Sequence, residues 1–229
     1  MENKKNAISY KAEEYLEAIY RLEKKGGSAK TMDLANKLKV VPGSITNTIE
    51  SLEKRGLIKH KPYMGVNLTK KGRIIATNVL RRHRLAERLL TDLLHLDWSE
   101  VHNAACKLEH ALSPEILEPL ENALEHPTTC PHGNPIPTPE GRLNEEITKP
   151  LTAMNEGEEG VILRITDENP HILKDLGRLN ILPESYVMLE KKDFSNALLV
   201  ILVNKKHQTI DLNLANHVQV KSLNFREEI

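Results

Sequence analysis

Four side chains able to bind a transition metal fall in one short stretch of the chain, His102, Cys106, Glu109 and His110. Their spacing of i, i+4, i+7 and i+8, at about 100° per residue, puts them on one helical face roughly 100° wide. Imidazole, thiolate and carboxylate on one face form part of a coordination shell, and a helix holds them in place before the ion arrives. The plainer alternative is a chance mixture of packed and solvated side chains. One helix cannot surround an ion, so further donors must come from elsewhere. His83 and Glu87 form an i, i+4 pair, Glu14 and Glu17 an i, i+3 pair, and Cys130 and His132 share the tetrapeptide Cys-Pro-His-Gly. Taken singly, each has an ordinary explanation: an exposed helix pair, half of a surface salt-bridge ladder, a turn built around Pro131 and Gly133.

The elements that must carry these residues are legible from periodicity. Tyr15, Leu16, Ile19 and Leu22 predict an amphipathic helix over 10–25, stopped by Gly26 and Gly27. A second helix over 31–38 and, after a turn around Pro42, a third over 44–55 follow. Two short alternating runs, 57–60 and 66–69, flank a turn at 62–65 and read as a hairpin. Three helices and a hairpin make a winged helix-turn-helix. One long helix is expected over 70–94, then shorter ones over 99–112, with Ser99 as N-cap, and 114–125, with Ser113 as cap and Pro114 in the first position. Their apolar faces exceed what they bury on each other, which points to a helical dimer interface. Prolines at 127, 131, 135, 137 and 139 mark an extended strap. Beyond it, β runs at 161–165, 186–190, 198–203, 209–212 and 218–223, with a helix at 171–176, fit a small β-barrel.

Charge is distributed unevenly. Residues 1–84 hold 19 basic and 8 acidic side chains, a net +11, whereas residues 85–229 hold 13 and 24, a net −11. A basic head suits a polyanion such as nucleic acid, and an acidic body suits dications. With 39% hydrophobic and 28% charged residues, wholesale disorder is excluded. No apolar run is long enough for a membrane span, and the charged start, Met1 to Lys5, lacks the apolar region of a signal peptide. The expectation is a cytoplasmic protein without a membrane partner. Two cysteines cannot form a disulfide scaffold; a single bridge between them is one option, and thiols available to metal are the other.

Three motifs in order, Arg82-His83-Arg84-Leu85-Ala86-Glu87-Arg88-Leu89-Leu90, then Val101-His102 followed by Cys106-x-x-Glu109-His110, then Gly133-Asn134-Pro135-Ile136-Pro137, carry a resemblance. The chain resembles, from end to end, the DtxR/MntR family of metal-dependent transcriptional repressors in its longer form with a third, SH3-like (FeoA-like) domain. The resemblance implies an α+β multi-domain fold: a winged helix-turn-helix over 1–72, a helical metal-binding and dimerisation domain over 73–142, a linker over 143–152 and a small SH3-like β-barrel over 153–229. It implies a regulatory metal site at Cys106, Glu109 and His110 with Glu14. Iron-responsive members have the cysteine but usually Met at the position of Glu14; manganese-responsive members have an acid there, often a second at the position of Glu17, and Glu in place of Cys106. The mixed motif favours ferrous iron slightly over manganese through the thiolate, with two ions per subunit. An ancillary site maps onto His83 and Glu87, with His102 in the iron branch, or with Cys130, His132 and Asp167 in some manganese-branch members; the latter set ranks first here because both of its motifs match in register.

The implied function is a homodimeric repressor of metal-uptake genes that binds palindromic double-stranded operators when metal braces the head against the body. The third helix is expected in the major groove, with Ser44, Thr46 and Asn47 at its start, while Lys59, Lys61 and Tyr63 on the wing and Lys30 and Thr31 at the second helix touch phosphates. A metal-independent winged-helix regulator is the alternative. A zinc hydrolase is disfavoured: no H-E-x-x-H spacing is present, and coordination would consume Glu109, the candidate base.

Overall fold

A computed structural model of the chain describes residues 8–223. They gather into two compact units, one of residues 8–83, 109–113 and 137–143 and one of residues 84–108, 114–136 and 144–223.

The first unit begins with α1 (Tyr10–Gly26), α2 (Thr31–Leu38) and α3 (Pro42–Lys54), followed by the antiparallel strands β1 (Ile58–Lys61) and β2 (Gly65–Leu68) and by α4 (Lys70–Arg88), whose residues through His83 belong here. Ser9 caps α1 by accepting from the Ala12 amide at 3.3 Å. The turn expected around Pro42 is instead the first turn of α3, because the fixed φ of proline suits a first helical position, where its missing N–H costs nothing. Tyr15, Leu16, Ile19, Leu34, Ile45, Leu52 and Leu57 are fully buried in one core. Truncating one of the leucines to Ala costs about 2–5 kcal/mol. The winged helix-turn-helix is therefore present, packed by the apolar stripes that predicted it.

In the second unit the helix expected over 70–94 is α-helical only to Arg88. Leu89–Leu93 winds as a π-turn, with the Leu94 amide donating to the Leu89 carbonyl at 3.1 Å. The Thr91 hydroxyl donates to the Glu87 carbonyl at 3.0 Å, a side-chain competitor of the kind that disturbs the regular ladder. α5 (Val101–Leu108) ends in a 3₁₀ turn at Glu109–Ala111. Ser99 does not cap it: the Ser99 amide and hydroxyl both donate to the Asp97 carboxylate, and these bonds hold the Asp97 acid below its usual range. α6 (Pro114–Ala123) opens with proline as expected.

The C-terminal part is a six-stranded antiparallel sheet with the order β3-β8-β4-β5-β6-β7, formed by β3 (Lys149–Pro150), β4 (Glu159–Ile165), β5 (Tyr186–Asp193), β6 (Leu198–Val203), β7 (Lys206–Asp211) and β8 (Val218–Ser222). Helices α7 (Pro170–Arg178) and α8 (Leu212–Asn216) lie between strands in the chain. Register shifts at Ile162/Arg164 and Leu189/Lys191 bend β4 and β5 and curl the sheet into the small SH3-like domain. Leu212 was expected at the end of a strand. It starts α8 because Asp211 caps that helix, accepting from the Asn213 amide at 2.8 Å.

Candidate functional site

In the first unit, the side chain of α1 that meets His110 is Glu13. Its Oε2 accepts from His110 Nδ1 at 2.8 Å and its Oε1 from Arg82 at 2.7 Å. The neighbouring Glu14, expected to be the donor from α1, is exposed. Glu109 is buried and accepts from the buried His83 Nδ1 at 2.7 Å; its other oxygen lies 3.3 Å from His110 Nε2. Glu17 is held by Arg21 at 2.8 Å. Burial pushes the Glu17 acid up, but the charges of Arg21 and His83 outweigh that and hold it below its usual range. This unit thus brings together Glu13, His83, Glu109 and His110, linked through shared protons and Arg82.

The second unit holds a denser cluster. One donor atom from each of Glu87, Cys130, His132 and Glu168 lies within 4.8 Å of the others. The last turn of α4 supplies Glu87, completely buried, and the strap supplies Cys130 and His132, which are 1% and 0% exposed. Sequence places a proline between these two, and the backbone around them is pinned: the Cys130 amide donates to the Asn134 carbonyl at 2.9 Å, the Ile165 amide to the His132 carbonyl at 2.8 Å, and Arg88 Nε to the Thr129 carbonyl at 2.7 Å. Gly133 is required there. At φ 81° any Cβ would stand 1.9 Å from the Leu163 carbonyl oxygen.

His132 is oriented as a metal ligand must be. Its Nε2 donates to the Trp98 carbonyl at 2.8 Å, leaving Nδ1 aimed at Glu87 Oε1 (3.6 Å) and Cys130 Sγ (3.9 Å). A backbone acceptor on the outer nitrogen is the usual device that fixes the tautomer of a ligating histidine. His102 on α5 reaches the same carboxylates, with Nδ1 3.1 Å from Glu168 and 3.5 Å from Glu87, while its Nε2 lies 3.8 Å from the exposed Cys106 Sγ. Burial pushes both imidazoles down, but hydrogen bonds outweigh it. Those from Cys106, Glu168 and Glu87 push His102 up to about 11, and those from Cys130 and Glu87 do the same for His132. Two protonated rings therefore balance the two carboxylates. The two cysteines are free and not bridged.

This donor set fits a divalent first-row ion. Bonds of about 2.0–2.3 Å from a central ion set opposite donors at most about 4.6 Å apart, a scale comparable with donor atoms that all lie within 4.8 Å of one another. Asp167, expected in the cluster, instead accepts from the Asn169 amide at 3.0 Å. Glu168, one residue on, takes the place, braced by Asn134 Nδ2 at 3.2 Å. Sequence reading named Glu14 and Asp167, and the structure sets their neighbours Glu13 and Glu168 against His110 and His102. Glu13 had a signal, since Glu13 and Glu17 are an i, i+4 pair on one helical face; Glu168 lies in a loop, where periodicity says nothing.

On the α3 face of the first unit, Thr46 and Asn47 are exposed and Ser44 is half-buried, its hydroxyl donating to the Val41 carbonyl at 2.8 Å. Lys30, Lys59, Lys61 and Tyr63 are exposed and Thr31 half-buried. Tyr63 occupies the left-handed region at φ 64° in the β1–β2 turn, which aims its ring into solvent. Among the described residues, no helix is long and apolar enough to cross a membrane.

Known proteins resemble this chain in sequence and in fold. Family models described as the iron-dependent repressor N-terminal DNA-binding domain, the iron-dependent repressor metal-binding and dimerisation domain, and the FeoA domain match residues 7–66, 69–138 and 149–222. The iron-dependent repressor IdeR of Mycobacterium leprae is 31% identical over 225 residues, spanning 92% of this chain and 96% of that protein. A solved manganese-dependent transcriptional repressor in complex with manganese superposes with a TM-score of 0.83 at 28% identity, over 93% of this chain and all of the other. IdeR of T. acidophilum gives 0.76 at 27%, over 95% and 99%. With a relative this similar over nearly its full length, and with all three parts matched in order, the chain belongs to the DtxR/MntR family of iron-dependent repressors.

Proposed function

We propose that the chain is a divalent-metal-responsive transcriptional repressor: a homodimer that holds palindromic operator DNA when ferrous iron or manganese is plentiful and releases it when the ion is scarce. The observation that carries this reading is the cluster of buried Glu87, Cys130 and His132 with half-buried Glu168, in a chain that also presents a winged helix-turn-helix. Bound there, an ion supplies the positive charge that two protonated imidazoles now provide. Glu87, Glu168, His132 Nδ1 and Cys130 Sγ would hold the ion, with Trp98 keeping the proton on His132 Nε2, and binding would require the donors in their deprotonated forms. A carboxylate used in this way is not a general base, and repression, not catalysis, is the activity that results.

The regulatory set is the second part of the proposal. Glu109 and His110, with Cys106 and Glu17 from the sequence motif, take a donor from α1, and Glu13 joins Glu14 as a candidate because it already faces His110. To ligate through Nδ1, His110 would have to exchange its bond to Glu13 for the ion. To move the operator-competent state from 1% to 99% of the population, these ligands must favour it by about 5.5 kcal/mol. The iron relatives and the manganese structures divide the family; thiolate donors favour iron here. DNA is read by Thr46, Asn47 and Ser44, with Lys30, Thr31, Lys59, Lys61 and Tyr63 on the backbone.

Selection of bound duplexes from a random-sequence library tests this reading directly. Anaerobic ferrous iron or manganese is expected to enrich an inverted repeat whose half-sites lie about 34 Å apart or a multiple of that. Equal enrichment of the same sequence in excess chelator would support a metal-independent regulator instead.

A further inference from the structure

The β1–β2 wing is two strands of four residues each. A two-stranded hairpin is marginal in water by itself, so its place must be fixed by other parts of the first unit. Glu23, in the last turns of α1, does this. Its side chain is only 7% exposed. Oε1 accepts from the Leu68 amide at 2.6 Å and from Asn67 Nδ2 at 3.1 Å, and Oε2 accepts from Arg73 Nη2 at 2.6 Å. One carboxylate therefore joins α1, the wing and the first turn of α4. The loop after α1 adds to the seam. Asn67 Nδ2 also donates to the Gly27 carbonyl at 2.8 Å, Ser28 Oγ donates to the Met64 carbonyl at 2.9 Å, and Ala29 and Val66 exchange backbone bonds at 3.0 and 2.9 Å. Gly65 lets the chains approach this closely: at φ 101° a Cβ would lie 2.7 Å from the Ala29 carbonyl oxygen. Lys59 and Lys61 remain exposed on β1, paired across the hairpin with Asn67 and Gly65 of the seam.

We infer that Glu23 is a positioning residue for DNA binding: its buried carboxylate clamps the wing so that Lys59 and Lys61 meet phosphates without first having to be ordered. The inference rests on the operator-binding reading. Charge-assisted bonds to a carboxylate are about twice as strong as neutral ones, and a wing ordered beforehand lowers the entropy cost of association. A carboxylate is needed, since all its partners are donors. In Glu23→Gln the new amide N–H₂ must face either the Leu68 amide or the Arg73 guanidinium, donor against donor.

The test uses the full metal-loaded chain and a DNA duplex titrated across salt concentrations. Glu23→Gln is expected to weaken binding severalfold and to make the slope of log K against log[salt] shallower by about 0.9 for each phosphate that is no longer neutralised. Lys59→Ala/Lys61→Ala should flatten the slope in the same way, and combining the two should add little. Amide hydrogen exchange should quicken at Val66 and Leu68 in Glu23→Gln and stay unchanged at Leu16 and Ile19, which separates a loosened wing from general unfolding. If Glu23→Gln keeps the original slope while the lysine pair flattens it, the clamp is overturned and the operator reading stands. If the lysine pair leaves the slope unchanged, the wing does not hold the phosphates and the inference is again overturned. A native chain that binds no DNA under any metal condition defeats the operator reading and the inference together.

Discussion

His132 shows how one side chain can be prepared for a metal by its surroundings. The Trp98 carbonyl holds the outer nitrogen, and the inner one faces a thiol and a carboxylate with no exposure to solvent. Removing it is expected to lower divalent-metal affinity by more than the 10- to 100-fold typical of losing a supporting group, measured by isothermal titration of the full chain; a change under threefold in His132→Ala would contradict its role. The raised imidazoles give a signed pH dependence. In the metal-free protein, His102 and His132 rise from 6.5 to about 11, so the stability they contribute is fully present below pH 6.5 and is lost as pH rises through about 11. Denaturant unfolding of the metal-free chain should show stability falling between pH 7 and 9. Metal binding should instead tighten with pH, because the rings must shed protons; titrations in buffers of different ionisation enthalpy read the protons released.

At the scale of elements, the strap is the part whose geometry has least slack. Gly133→Ala puts a methyl group against the Leu163 carbonyl at a positive φ. A loss of roughly 1–3 kcal/mol in unfolding free energy is expected, together with weakened metal binding, since Cys130 and His132 flank the turn. Chemical denaturation with and without metal checks both. Elements with strong periodicity were legible in the sequence: α1, α2 and the hairpin fall where Leu16, Ile19, Leu34 and the β-branched alternation place them. The π-turn after Arg88 was not, because the Leu stripe continues through it and only the Thr91 hydroxyl marks the change. The same limit applied to the site. Helical spacing picked out His102 and motif resemblance Cys130 and His132, whereas the choice between Asp167 and Glu168 depended on the direction of a loop, which is set by Asn134 and by the Asn169 turn. Motif resemblance reached further than periodicity here, and pointed to the residue next to the one the loop turns toward the cluster.

At the scale of the whole molecule, sequence assigns opposite net charge to the head and the remainder, and the same chain presents exposed lysines at the start of α2 and on the wing and a cluster of two carboxylates, a thiol and an imidazole in the second unit. On the proposed function these are the two halves of a switch whose input is a dication and whose output is DNA affinity. Linkage requires that coupling to be reciprocal: if metal tightens DNA binding, DNA must tighten metal binding by the same factor. The most direct measurement is the affinity of the full chain for one selected inverted-repeat duplex, followed by fluorescence anisotropy under anaerobic conditions with ferrous iron, with manganese and with excess chelator. Metal is expected to tighten binding at least tenfold, within the roughly 5- to 150-fold range common for coupled sites, and an equal affinity in all three conditions would contradict the account.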